Sequence, residues 1–222
     1  MKKTFLLVRS ARRSVGLSLS PDGKLTVRAP IRMSLREIER LVAQKQNWIL
    51  RKTDEIKKRP EVSPKQFEDG ERFLFLGKTY PLRLSDRIET PFLFRNQEFI
   101  LSRKHQAQGR ELLEQWYVFQ IRKIVIASVD RYARLARSRY QSLKINGART
   151  RWGSCSSSGN LNFSWRLALA PLWIIDSVAA HEVAHLKIQN HSQAFWSHVG
   201  QLYPKYTQAR AWLRKNGRRL IL

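Results

Sequence analysis

The chain of 222 residues has a single cysteine, Cys155, so an internal disulfide is excluded. Its fold has to rest on a packed core, and with 42% apolar residues at this length it can bury one. A lone thiol suits a reducing compartment, and the expected location is cytoplasmic. No apolar run approaches the roughly 18 residues of a membrane span, so no membrane partner is expected. The opening MKKTFLLVRSARR offers only residues 5–8 as an apolar stretch before Arg9, Arg12 and Arg13; that is too short for a signal-peptide core and reads as a first strand. Repeats and low-complexity tracts are absent. Acidic residues are scarce: 17 Asp and Glu face 42 Lys and Arg, a net charge of +25. The excess is uneven, with 16 basic against 5 acidic residues in 1–60, 9 against 7 in 61–110 and 17 against 5 in 111–222. Basic flanks of this kind favour polyanions such as nucleotides or nucleic acid, or else form a solvated surface.

What the chain does contain is a readable order of elements. Apolar stretches at 5–8, 15–19 and 25–27, with a turn at Pro21-Asp22-Gly23, predict strands. Ser34-Leu35-Arg36-Glu37 is a capping box. It opens one helix carrying Leu35, Ile38, Leu41, Val42, Trp48, Ile49 and Ile56 at helical spacing, with a Lys/Arg-rich opposite face, to about residue 58 before Pro60 and Pro64. Between 67 and 101, short apolar runs broken by Asp69-Gly70, Gly77, Pro81 and Pro91 predict a small antiparallel sheet. A long helix over about 110–139 presents a broad apolar face that includes Trp116, Tyr117, Phe119, Ile121, Val125, Val129 and Leu135. Strands follow at 143–145 and around 151–153, the SCSSSGN stretch turns the chain, and 161–169 alternates apolar and polar for nine residues. Pro171 then opens an apolar, buried helix to about residue 187. The class is α+β: a β-rich N-terminal region with one basic helix over 1–105, and a second domain over 106–222.

The second domain holds the chemistry. His181 and His185 are four apart, so on a helix they share a face one turn apart, the spacing at which two imidazoles bind one zinc. Glu182, about 100° round the helix from His181, can stand beside the metal without binding it and take a proton from an activated water. No Asp or Glu follows Glu182, so no downstream carboxylate can complete the site. Asp176 lies about 140° away on the same helix and points elsewhere. His191 and His198 remain, and His191 is the nearer. It can reach the metal if the chain turns after about Lys187, with Asn190 in the left-handed conformation. His198 is then structural or supporting. Cys155 has no base adjacent in its loop and reads as a small buried residue.

Arg151-Trp152-Gly153-Ser154-Cys155, Trp165-Arg166-Leu167, Pro171, the HExxH and Asn190-His191 with Phe195-Trp196 together resemble the signature of the YgjP-type predicted metal-dependent hydrolases, which are zincin-like and related to SprT-type proteins. LGKTYPLRL over 76–84, the helix with Trp48-Ile49, and Pro204 with Tyr206 and Trp212-Leu213 extend the resemblance over most of the chain. Ser164 stands where the resemblance implies Asn. The implied ligands of one Zn²⁺ per chain are His181, His185 and His191, with Glu182 catalytic. The implied fold is a zincin with strand 161–169 at a sheet edge beside the metal helix, able to pair with an extended peptide. Asn162, Ser164 and Arg166 on that strand are then candidate substrate contacts, and Arg151, His198 and Tyr206 are further candidates. The expected activity is peptide hydrolysis. A nucleoside triphosphate pyrophosphatase, for example UTP to UMP, is the alternative, with Arg151, Arg166 and Lys187 to neutralise phosphates. A basic nucleic-acid-binding protein with a zinc site is a third.

Overall fold

The computed structural model describes residues 5–20, 22–57 and 65–222. Pro21, Pro60 and Pro64, read above as turn and helix-ending residues, lie outside them. The chain forms two compact units, Met1–Ser63 and Pro64–Leu222. The boundary expected at 105 is therefore displaced: Phe73, Leu82, Phe99 and Leu101 are buried in one core with Leu113, Tyr117 and Ile121 of the long helix, which joins the middle strands to the second unit. Among the described residues there are six α-helices and three sheets, a mixed α/β architecture. No described helix is long and apolar enough to cross a membrane.

In the first unit, strands β1 (Phe5–Ser10), β2 (Gly16–Leu19) and β3 (Leu25–Pro30) form a sheet in the order β1-β3-β2, with β1 parallel and β2 antiparallel to β3. The capping box forms: the Glu37 amide donates to Ser34 Oγ at 3.2 Å, and the Ser34 amide donates to Glu37 Oε2 at 3.0 Å. Where one helix was expected there are two, α1 (Leu35–Gln44) and α2 (Gln46–Lys57). Lys45 breaks the ladder, its amide bonding back to Val42 O in a tightened last turn. Ile38, Val42 and Ile49 still pack on one core across the break, so the apolar spacing does not reveal it.

The second unit opens with β4 (Arg72–Phe75), β5 (Lys78–Ser85), β6 (Phe92–Arg95) and β7 (Glu98–Ser102), in the order β4-β5-β7-β6. This sheet is mixed rather than antiparallel, because β5 and β7 run parallel. The β4–β5 hairpin turns on Leu76 and Gly77, both at positive φ. Its tip docks by amide bonds from Leu76 to Ala168 O and from Gly77 to Leu169 O. A Cβ at Gly77 would stand 2.6 Å from the Pro171 ring, so glycine is needed there for space as well as for conformation.

Helix α3 (Gly109–Leu135) buries Leu113, Tyr117, Ile121, Val125 and Val129 on one side. Phe119 and Leu135, read as part of that face, are 56% and 64% exposed. The helix ends earlier than 139. Arg137 takes a left-handed φ of 48°, the Ser138 amide returns to Ala133 O and the Arg137 amide to Arg134 O. This double bond pattern is a Schellman stop.

The last sheet, β8 (Ser142–Asn146), β9 (Gly153–Cys155) and β10 (Asn160–Ser164), has the order β8-β10-β9. Two expectations fail here. The strand ends at Ser164 instead of 169, because Ser164 Oγ accepts the Arg166 amide and turns Trp165–Leu169 into a 3-10 segment. All five residues of that segment are buried, and Trp165 stacks on Tyr117 with centroids 5.7 Å apart and planes 4° apart. The strand is also central rather than an edge, since β8 pairs with it in parallel on one side and β9 antiparallel on the other. Helix α4 (Leu172–Ala184) packs on α3 and β9. Two shorter helices follow, α5 (Gln193–Leu202) and α6 (Tyr206–Asn216).

Candidate metal centre

α4 is apolar almost all round, and its burial holds His181 and Glu182 in a fixed setting on its last turn. Asp176 on the same helix faces α3, where its carboxylate accepts from Ser128 Oγ at 2.7 Å and pairs with Arg131. That pairing anchors the helix at a distance from the chemistry. His185 is the C-cap. Beyond it the chain turns through amide bonds from Leu186 to Val183 O and from Lys187 and Ile188 to Ala184 O. The hydrogen-bonded turn therefore runs through Lys187 to Ile188 and needs no left-handed residue: Asn190 is not among the positive-φ positions, and its Oδ1 accepts the Ser192 amide instead. Ser192 then caps α5.

This path folds His191 back over α4. The ring nitrogens of His181, His185 and His191 lie within 4.8 Å of one another, and Nε2 of His181 and Nε2 of His191 are 3.2 Å apart. Two nitrogens on one tetrahedral ion with bonds of about 2.0–2.1 Å are separated by roughly 3.3 Å, the spacing that the His181 and His191 pair shows. His185 Nδ1 lies 3.0 Å from Ile188 O, an acceptor, so the proton belongs on Nδ1 and Nε2 is left free to accept a metal ion. Burial and the neighbouring imidazoles push the His181 pKa down to about 3, and burial lowers that of His185. Both rings are accordingly neutral near pH 7, the form that ligates. His198 is not part of this cluster, and its Nε2 is buried with no hydrogen-bond partner.

Glu182 is 5% exposed, and burial raises its pKa to about 8 against the opposing charge of Arg151. A carboxylate so desolvated is a strong proton acceptor once ionised. The Cys155 thiol is half-buried; burial and the Glu182 carboxylate push its pKa up, which disfavours the thiolate form.

Of the three residues read as substrate contacts, the Ser164 and Arg166 side chains are otherwise engaged. Asn162 lies in the central strand between Lys144 and Ser154. Ser164 Oγ donates to Ala148 O at 2.7 Å, and Arg166, buried over the Trp165 ring, donates to Gly147 O at 2.8 Å. Ser164 and Arg166 thus fasten the loop after β8. Arg151 and Lys187 are exposed. Tyr206 serves in a stack: it lies on Trp196 at 5.7 Å and 16°, Trp196 lies on His191 at 5.5 Å and 23°, and Arg210 covers the Trp196 ring at 4.1 Å. Phe195 stacks on His185 at 4.4 Å.

Sequence reasoning noted Phe195 and Trp196 only as matching residues, and the supporting role of Ile188 O not at all. Because Trp196 is the aromatic face that orients the loop-borne His191, Trp196→Ala should weaken zinc affinity about 10–100-fold, the range for supporting partners of a ligand. Competition with a chromogenic chelator checks this; unchanged affinity would mean that the stack does not hold the ring.

Three convergent imidazoles with a desolvated carboxylate on the adjoining helix position could hold a metal ion next to a proton acceptor, the groups that a metal-dependent hydrolase requires. The chain belongs to the YgjP-like metallopeptidase-domain family, whose family model matches residues 13–216. Among solved structures it is similar to the crystal structure of the metallopeptidase zymogen of Pyrococcus abyssi abylysin, at 18% identity over 42% of this chain and 96% of that one, with a TM-score of 0.39. No curated protein matches the chain.

Proposed function

We propose that the protein is a zincin-like zinc peptidase with one zinc ion per chain, held by His181, His185 and His191, and with Glu182 as general base. The observation that carries this reading is the meeting of three imidazoles, with a buried carboxylate at the helix position next to His181. When bound, zinc would polarise the scissile carbonyl and lower the pKa of a water. Glu182 then takes the proton of the attacking water and returns it to the departing amine. Three protein ligands leave a position open for these partners, which disfavours a purely structural zinc.

An extended substrate needs a free strand edge. β10 has none, whereas β9 has a strand neighbour on one side only among the described residues and lies against α4. β9 is therefore the strand we assign to peptide pairing. Phosphoanhydride cleavage is less favoured, because Arg166, one of three cations expected to neutralise phosphate, is tied to Gly147. The lone, half-buried thiol suits the cytoplasm.

The test is to give zinc-loaded protein an unfolded peptide library and, separately, a panel of nucleoside triphosphates, with Glu182→Gln as the control. Peptide fragments formed only by the parent are expected. Glu182-dependent release of pyrophosphate without peptide cleavage would sink the peptidase reading.

A further inference from the structure

Gly153 and Cys155 are two apart in β9 and so face one side, and Arg151 lies just ahead of the strand. That side is the one turned to Glu182. The charge of Arg151 acts on the Glu182 carboxylate, and that carboxylate acts on the Cys155 thiol. Between them, a Cβ built on Gly153 would stand 2.6 Å from Glu182 Cγ, 2.6 Å from Oε1 and 2.8 Å from Cδ. Non-bonded carbon atoms prefer about 3.5–4.0 Å. No side chain fits at 153 while Glu182 stays where it is. Nor can the carboxylate simply be pushed outward, since it is enclosed in a buried setting between α4 and β9. The reason for glycine is space alone: the positive-φ glycines are 23, 70, 77 and 159, and Gly153 is not one of them. Its backbone, paired with Phe163 in β10, is open to any residue.

We propose that Gly153 is a positioning residue for Glu182. The missing side chain lets the carboxylate rest on the backbone of β9, and this contact fixes how far it reaches toward the His181, His185 and His191 cluster. The same strand would hold the substrate, so the base and the peptide are registered by one element. The inference rests on Glu182 being the base.

A double-mutant cycle tests it with the parent, Gly153→Ala, Glu182→Ala and the double variant. In metal-free protein, Gly153→Ala should lower Tm by several degrees when Glu182 is present and leave it nearly unchanged when residue 182 is Ala, because the atoms it meets are then gone. In zinc-loaded protein, Gly153→Ala should lower kcat about 100-fold, the loss expected for a displaced catalytic group, with KM and zinc content unchanged. Equal Tm losses in both backgrounds, or a parental kcat in Gly153→Ala, would overturn the proposal. If Gly153→Ala fails to fold, a folded double variant supports it and an unfolded one overturns it. The Tm cycle requires no turnover. Parental turnover by Glu182→Gln would remove the base reading by itself, and Tm coupling alongside it would mark packing alone and overturn the positioning role.

Discussion

Glu182→Gln should keep the parental zinc content and lower peptide hydrolysis by roughly 10²–10⁴-fold, the usual contribution of a positioned base. Gln is nearly isosteric, so the fit against Gly153 survives and only the proton acceptor is lost. The same exchange has a second, opposite effect on stability. In metal-free protein the folded-state pKa of Glu182 is about 8, above its ordinary 4.5. A carboxyl raised in this way contributes its full stability below pH 4.5 and loses it as pH rises through 8, because the unfolded chain ionises first. The metal-free Glu182→Gln protein should therefore be the more stable of the two at pH 8 and above, by an amount on the order of a few kcal/mol, and the gap should close toward pH 4.5. Calorimetry across that window reads it. A gap independent of pH would mean that Glu182 is not desolvated as described, and an active Glu182→Gln enzyme would remove it from the mechanism.

The second large effect concerns the third imidazole. His191→Ala should weaken zinc binding more than about 100-fold, beyond the range for supporting partners, and should abolish turnover at limiting zinc. His198→Ala should leave both unchanged, since the buried His198 Nε2 makes no hydrogen bond and lies outside the cluster. Stabilisation by the metal supplies an independent readout: zinc at 1,000 times its Kd should stabilise the parent by about 4 kcal/mol, an increment that His191→Ala loses. Elemental analysis after dialysis, followed by melting with and without added zinc, checks the pair. Equal losses in the two variants would show that the third ligand has been assigned to the wrong histidine.

Local signals carried part of this site and part of the fold. The four-residue spacing of His181 and His185, with Glu182 between them, is a property of the helical period and needs nothing outside α4. The capping box at Ser34 and Glu37 is likewise local, and so are the turn glycines at 23 and 159, both at positive φ. The lack of any acid after Glu182 narrowed the third ligand to a histidine by elimination alone.

Pairing and enclosure depend on chain segments far apart, and no spacing encodes them. The alternation over 161–169 reads as one strand at a sheet edge, yet only the partners supplied by β8 and β9 make β10 central, and only the Ser164 cap and the cover of α3 turn its second half into a buried 3-10 segment. The helical period runs through Lys45 undisturbed, although one tightened turn splits the helix there. The His191 ring is set by Trp196 on α5 and Tyr206 on α6, and the room for Glu182 is left by Gly153 on a strand 29 positions earlier in the chain. Which groups could do the chemistry is legible along the chain, because helical spacing and side-chain type are local. Where they meet and which strand lies beside them depend on the fold, because burial, stacking and steric fit exist only between segments that the folded chain brings together.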